Sequence, residues 1–160
     1  MLMRFQTALK VMSYRQFKRF NLKKFYTLVE LRIEAMKFSV DKHEKYVTLK
    51  LKEPKFTNDN SPGLKSELYL LNAEGFKNII VDLSPVKECA DAQDLSCLLV
   101  GDRLCKSAGG LFIVTGINDQ LAPIIELSNI FQSVTFVNTL AEATDFIFMD
   151  ELEKEFRGDR

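Results

Sequence analysis

Two short apolar runs constrain the fold of this chain most strongly. The first covers residues 78–83 (NIIVDL) and the second covers residues 111–114 (LFIV). Both are shorter than a typical helix, and neither alternates between apolar and polar residues, which favours strands that are buried on both faces. Strands of this kind are typical of a parallel sheet that helices cover. The two runs therefore predict an α/β domain with these strands in its central sheet.

The other segments alternate between strand and helix patterns. A helix begins at Ser61 and Pro62, which serve as N-cap and first helical residue, and Gly75 ends it. The remaining predicted elements are strands at 37–41, 46–52 and 134–137, and helices at about 91–108, at 119–128 and from a Thr139–Glu142 capping box onward. This order predicts a mostly parallel central sheet with an N-terminal antiparallel strand and about four helices.

The charges are divided unevenly along the chain. Residues 1–36 hold eight basic and two acidic residues, although the whole chain has 22 of each sign. The remainder is therefore mildly acidic and lacks the basic surface that direct nucleic-acid binding requires. We divide the chain into a basic, aromatic extension (1–35), a domain (36–150) and a charged tail (151–160). The extension is interpreted either as an amphipathic helix for a membrane surface or partner, or as an upstream segment without a role.

Composition and motifs exclude most familiar enzyme classes. The single histidine, His43, leaves no histidine pair for a metal, and Cys89, Cys97 and Cys105 have no CxxC spacing. The chain has no phosphate-binding loop, dinucleotide fingerprint or hydrolase elbow. No apolar run approaches the roughly 18 residues of a transmembrane helix. We therefore expect a non-catalytic cytoplasmic protein with buried thiols and without cofactor or metal.

The stretch at residues 77–110, KNIIVDLSPVKECADAQDLSCLLVGDRLCKSAGG, resembles the STAS family of anti-sigma factor antagonist domains. In this stretch a strand ends in Asp-Leu-Ser, a loop leads to a helix start that contains Asp, and the helix ends in Gly-Gly. Residues 36–40 and 64–68 are similar to the family's first strand and first helix. The resemblance covers about residues 36–150. It implies a regulatory domain whose partner is an anti-sigma factor with serine kinase activity.

The resemblance also identifies a site at which this sequence differs from the family. Family members typically carry Asp-Ser-Ser-Gly-Leu at the start of the second long helix, and the partner kinase phosphorylates one of the serines. Aligned on Leu95, this sequence has Asp91, Ala92, Gln93 and Asp94 at the preceding positions. Ala92 and Gln93 have no hydroxyl group, so we expect no phosphorylation at the usual positions.

A helical wheel at 100° per residue assigns the faces of this second helix. It places Cys97, Gly101 and Cys105 on the core face. Leu95 and Leu99 fall on the opposite side, where they are either anchors for a partner or ordinary surface leucines. The predicted partner-binding surface comprises five residues, Asp91, Asp94, Leu95, Leu99 and Arg103.

Three polar residues at this helix start have more than one interpretation. Asp91 and Asp94 cap the helix, form an acid/base pair, or stand in for a permanent phosphate. Ser96 is either an ordinary surface serine or a substitute phosphorylation site.

The resemblance implies a regulatory module that docks on an anti-sigma factor. The alternative is a phosphorylation-independent accessory subunit of a transporter or signalling scaffold, and either form could be a homodimer.

Overall fold

The computed structural model describes residues 37–57, 61–90 and 92–158. It contains seven strands: β1 (Phe38–Lys42), β2 (Val47–Leu51), β3 (Lys55–Phe56), β4 (Ile79–Asp82), β5 (Glu88–Cys89), β6 (Phe112–Thr115) and β7 (Thr135–Phe136). Five of them form the main sheet in the order β1-β2-β4-β6-β7. β1 is antiparallel to β2, and the other neighbouring pairs are parallel. The predicted class, a mostly parallel α/β sheet with an N-terminal antiparallel strand, is confirmed.

The described part of the chain also contains five α-helices and one 3-10 helix. The α-helices are α1 (Ser61–Ala73), α2 (Cys97–Ser107), α3 (Ala122–Leu127), α4 (Ile130–Ser133) and α5 (Leu140–Arg157), and the 3-10 helix is Ala92–Ser96. The predicted helix at 119–128 spans only Ala122–Leu127, because residues 119–121 form a turn and Ser128 has extended backbone angles. The fifth helix, α4, lies beyond this predicted segment and was not predicted.

Two apolar clusters lie on opposite faces of the sheet. The larger one includes Leu64, Leu68 and Leu71, the predicted stripe of α1, together with buried residues of α2. The smaller one joins the other face of β4 and β6 to α5 through Ile80, Ile113, Val137, Ala143 and Ile147. All residues of β4 and β6 are buried, as the two apolar runs predict.

A second, two-stranded sheet was not predicted. β3 and β5 pair in parallel, with Lys55 opposite Glu88 and Phe56 opposite Cys89. Turn-forming residues surround β3, so the sequence there predicts only a loop. The small sheet fixes the connection between β4 and the start of α2.

The last helix extends well past residue 150. Its capping box forms as predicted, since Glu142 N donates to Thr139 Oγ1 at 3.2 Å. Arg157 pairs with Glu153 in the final turn, and Gly158 ends the helix with φ of 75°. The charged segment at 151–160 is therefore helical through Arg157.

Some predictions fall on residues that the structure does not describe. They are the interpretations of the 1–35 extension and the capping role of Asp91, which stay predictions. Within residues 37–57, 61–90 and 92–158, no helix combines the length and apolar character needed to cross a membrane.

Candidate protein-docking site

The helix start that carries the predicted site begins as a 3-10 helix. Ala92–Ser96 adopts this conformation and continues directly into α2. A 3-10 helix has about three residues per turn, so each residue advances by about 120° rather than 100°. The faces assigned by an α-helical wheel are therefore shifted for residues 92–96.

Leu95 shows the consequence of this shift. The prediction that Leu95 lies on an exposed face is wrong, because its side chain has 0% exposure and belongs to the large apolar cluster. Three positions later, in the first turn of α2, Leu98 is equally buried. Leu95 therefore fixes the helix start to the core and presents no side-chain surface to a partner.

Two acidic side chains at this helix are also buried. Asp94 is 4% exposed, and the Cys89 thiol donates to its Oδ2 at 4.0 Å. Asp102 of α2 is 6% exposed and pairs with Lys106 at 2.8 Å. Both carboxylates thus lie beneath the surface, which argues against the predicted role of Asp94 in partner binding.

Contacts on three sides hold α2 in place. It packs against α1 on one flank, against α4 on the other, and against β6 below. Lys106 Nζ donates to the Ser133 carbonyl oxygen of α4 at 3.0 Å. A Cβ atom on Gly101 would lie 2.3 Å from Cε2 of Phe112, so glycine is needed where α2 crosses β6. The remaining side of α2 faces away from the domain.

That outer side forms a continuous row of residues. Gln93, Ser96 and Arg103 are exposed, and Leu99 and Val100 are half-buried between them. We call these five residues the α2 ridge. The ridge keeps Leu99 and Arg103 of the predicted surface, adds Gln93, Ser96 and Val100, and omits the buried Asp94 and Leu95. Gln93 lies in the 3-10 segment, to which an α-helical wheel does not apply, and Val100 lies next to Leu99 in the regular part of α2.

The hydroxyl group nearest to the family's phosphorylation position belongs to Ser96. Ala92 is half-buried and Gln93 is exposed, and neither accepts phosphate. Ser96, the residue directly before α2, is exposed, and its side chain makes no capping hydrogen bond. A phosphate placed there would lie at the positive end of the helix dipole.

Ser84 is the other serine close to this region. It follows β4 in a turn, and its Oγ donates to Asp82 Oδ1 at 2.6 Å while its backbone N donates to the same oxygen at 2.9 Å. Asp82 also lies 3.8 Å from Lys50 Nζ. The Ser84 hydroxyl therefore has a structural partner in Asp82, whereas the Ser96 hydroxyl makes no capping hydrogen bond.

Two of the three thiols are poorly suited to nucleophilic or redox reactions. Cys97 and Cys105 are completely buried, as the wheel predicts. Burial raises the pKa of each thiol to about 12, so both stay protonated at neutral pH. No group of three or more His, Cys, Asp or Glu residues within the described ranges has the arrangement of a metal site.

Comparison with known proteins identifies a family and several solved structures that this chain resembles. The profile of the STAS domain matches residues 37–143. A Thermotoga maritima protein assigned as an anti-sigma factor antagonist is 21% identical, with a TM-score of 0.60, over 69% of this chain and 93% of that one. An anti-sigma factor antagonist from Mycobacterium paratuberculosis is 17% identical, with a TM-score of 0.61, over 70% and 93%.

A third similar structure is that of a phosphorylated protein. The Bacillus cell fate determinant SpoIIAA in its phosphorylated form is 14% identical, with a TM-score of 0.53, over 69% of this chain and 99% of that one. Among curated proteins, none matches the sequence significantly. The STAS profile covers two thirds of the chain, and the solved structures share its sheet and helices. This chain belongs to the STAS domain family.

Proposed function

We propose that this protein is a non-catalytic, cytoplasmic regulatory module that docks on an anti-sigma factor with kinase activity through the α2 ridge. The family and its similar structures support a regulatory role in protein binding. The α2 ridge is the observation that carries the proposal, because it is the open side of a helix held firmly on its other three sides.

The composition of the ridge suits a protein interface. Leu99 and Val100 supply a partly exposed apolar centre, and Gln93, Ser96 and Arg103 surround it with polar groups. Interfaces commonly place apolar anchors at the centre and polar residues at the rim. Arg103 is the one charged residue of the ridge, so it favours an acidic patch on the partner.

Ala92 and Gln93 favour a second candidate function. Without hydroxyl groups at these positions, the partner cannot release the module by phosphorylating it there. The same surface would then serve a phosphorylation-independent accessory subunit of a transporter or signalling scaffold. The two candidates share the docking surface and differ in the partner and in the use of Ser96.

Capture of the partner from native cells tests the docking surface. Ser96→Arg and Arg103→Glu change exposed side chains, so each variant should keep the wild-type melting curve and lose the partner. Ser107→Arg, at the far end of α2, and Lys52→Glu, after β2, are matched controls that should retain it. If the ridge variants capture the partner as well as the controls do, the proposed surface is wrong.

The identity of the captured protein separates the two candidates. An anti-sigma factor supports the first, and a transporter or scaffold component supports the second. Incubation with ATP and the captured partner, followed by mass spectrometry, then reports phosphorylation. We expect no phosphate on residues 91–95. Phosphate on Ser96 that disappears in Ser96→Ala would show that the switch operates one turn later.

A further inference from the structure

An acid and a leucine are buried side by side in the 3-10 helix that precedes α2. They are Asp94 and Leu95, and both lie within the five residues Ala92–Ser96. A 3-10 run of this length is uncommon, because its hydrogen-bond geometry is poorer than that of an α-helix. The local sequence permits either form, so the packing of these two side chains must decide between them.

An α-helical start would point Asp94 into the core. In a continuous α-helix, residues four and seven positions apart share a side, so Asp94 would lie in line with Leu98 and Gly101. Leu98 is completely buried, and a Cβ on Gly101 would overlap the ring of Phe112. A carboxylate in this position would lose its hydration among apolar side chains, which is strongly unfavourable.

The observed 3-10 form avoids this burial. Leu95 enters the large apolar cluster, and Asp94 lies where the half-buried Cys89 of β5 donates its thiol hydrogen to Oδ2 at 4.0 Å. Within the segment, residues three positions apart share a side. Gln93 therefore lies in line with Ser96, and both are exposed.

We propose that the order of Asp94 and Leu95 sets the helical phase of the α2 start and thereby positions Gln93 on the α2 ridge. The inference rests on the proposed docking function, and it adds two residues that act on the partner only through the position of their neighbours. Asp94 and Leu95 are thus positioning residues.

The alternative phase would change the composition of the ridge. With an α-helical start, Gln93 would turn to the side of the buried Cys97, four residues later. Ala92 would take its place, in line with Ser96 and Leu99. The ridge would then present a methyl group where it now presents an amide, so the phase determines which side chain a partner meets.

An exchange of the two residues tests the phase through stability. Leu95→Asp alone places a carboxylate in the core, so the midpoint of urea unfolding should fall sharply. When Asp94→Leu is added, an α-helical start returns a leucine to the core and puts the acid in line with the half-buried Leu99. Asp94→Leu should therefore raise the midpoint in the Leu95→Asp background and not in the wild type.

A matched control excludes a general effect of removing a buried acid. Asp102 is also a buried acid, but it lies in the regular part of α2. Asp102→Leu should therefore shift the midpoint equally in the wild type and in the Leu95→Asp background. If Asp94→Leu also acts equally in the two backgrounds, the double-mutant cycle overturns the proposal.

Alkylation reads the phase directly. Gln93→Cys and Ala92→Cys are each introduced into the wild type and into the exchange variant, Asp94→Leu with Leu95→Asp. Iodoacetamide labelling is then followed by peptide mass spectrometry, which separates these sites from Cys89. In the wild-type order the cysteine at position 93 should react faster, because Gln93 is exposed and Ala92 is half-buried. In the exchange variant position 92 should react faster, and an unchanged order would overturn the proposal.

Capture of the partner separates this inference from the proposed function. The exchange variant should lose the partner, as Ser96→Arg does. If Ser96→Arg loses the partner and the exchange variant keeps it, the docking surface stands and the role of the helical phase is wrong. If both keep the partner, the docking surface is wrong, and the role of the phase in docking is wrong with it.

Discussion

Glu151 Oε1 lies 2.8 Å from Lys77 Nζ, so an ion pair joins the middle of α5 to the segment that leads into β4. The same carboxylate accepts a hydrogen bond from Asn78 Nδ2 at 3.1 Å. Asn78 is completely buried and also accepts from the Leu111 backbone N at 2.9 Å. Glu151 thus belongs to a polar network that connects α5 with β4 and the start of β6.

This network predicts a pH dependence of stability. Burial by itself would raise the pKa of Glu151, but hydrogen bonds from Lys77 and Asn78 outweigh it and leave the pKa below the usual value of a glutamate. The stabilisation is complete above the usual glutamate pKa and is lost as the pH falls through the lowered one. Urea unfolding of the wild type should therefore show a steeper loss of stability below about pH 4.5 than that of Glu151→Gln.

A matched carboxylate identifies the source of that difference. Glu153 is exposed on the same helix, where it pairs with Arg157. Glu153→Gln should leave the acid dependence close to that of the wild type, because exposed ion pairs contribute little. Identical acid profiles for the wild type and Glu151→Gln would contradict the role of the network.

The burial of Leu95 predicts a large effect on stability. Leu95→Ala leaves a cavity in the core, and such changes commonly cost about 2–5 kcal/mol. Ser96→Ala, at the exposed neighbouring position, should change the free energy of unfolding by less than about 0.5 kcal/mol. Denaturant unfolding measures both. A Leu95→Ala variant as stable as Ser96→Ala would mean that Leu95 is exposed after all.

The crossing of α2 over β6 predicts a second sensitive position. A methyl group on Gly101 would overlap the ring of the buried Phe112, so Gly101→Ala should cost about 1–3 kcal/mol through overpacking. The cost should be smaller in a Phe112→Leu background, where the ring is absent. Equal costs in the two backgrounds of this double-mutant cycle would exclude Phe112 as the cause.

The division of charge near residue 36 predicts that the extension is dispensable for folding. A chain that begins at Met36 should remain cooperative in denaturant unfolding, because the STAS profile and the five-stranded sheet begin after that residue. The comparison is with the full chain under the same conditions. A loss of several kcal/mol on truncation would place residues 1–35 in the folded domain.

The strands and helices of the domain are predictable where a single local pattern determines them. The apolar runs gave β4 and β6 because a strand without polar alternation has no exposed face. Ser61, Pro62 and the leucines after them identified α1 because capping and periodicity agree. The alternating order of strand and helix patterns then predicted the parallel sheet with its N-terminal antiparallel strand, and the family resemblance agreed with it.

The candidate site was less predictable because tertiary packing decides its geometry. The choice between a 3-10 and an α-helical start depends on whether Leu95 enters the core, and the sequence around Ala92–Ser96 permits both. Burial of Asp94 beside Cys89 requires the small sheet of β3 and β5, which no local pattern indicates. Arg103 is exposed, as a place on the predicted surface requires, whereas Leu99 is half-buried and packs in part against the large apolar cluster.

The order of the sheet has a consequence for how the chain is made. Because the strands lie side by side in the same order as along the chain, each new strand of a nascent chain can pair with the one before it. Among the described elements, however, the helix that covers the side chains of Ile80 and Ile113 is α5, which follows all five strands. A ribosome-bound chain that has not yet released Leu140–Arg157 would therefore expose an apolar sheet face. This makes the interval before α5 emerges the point in synthesis most open to aggregation or chaperone binding.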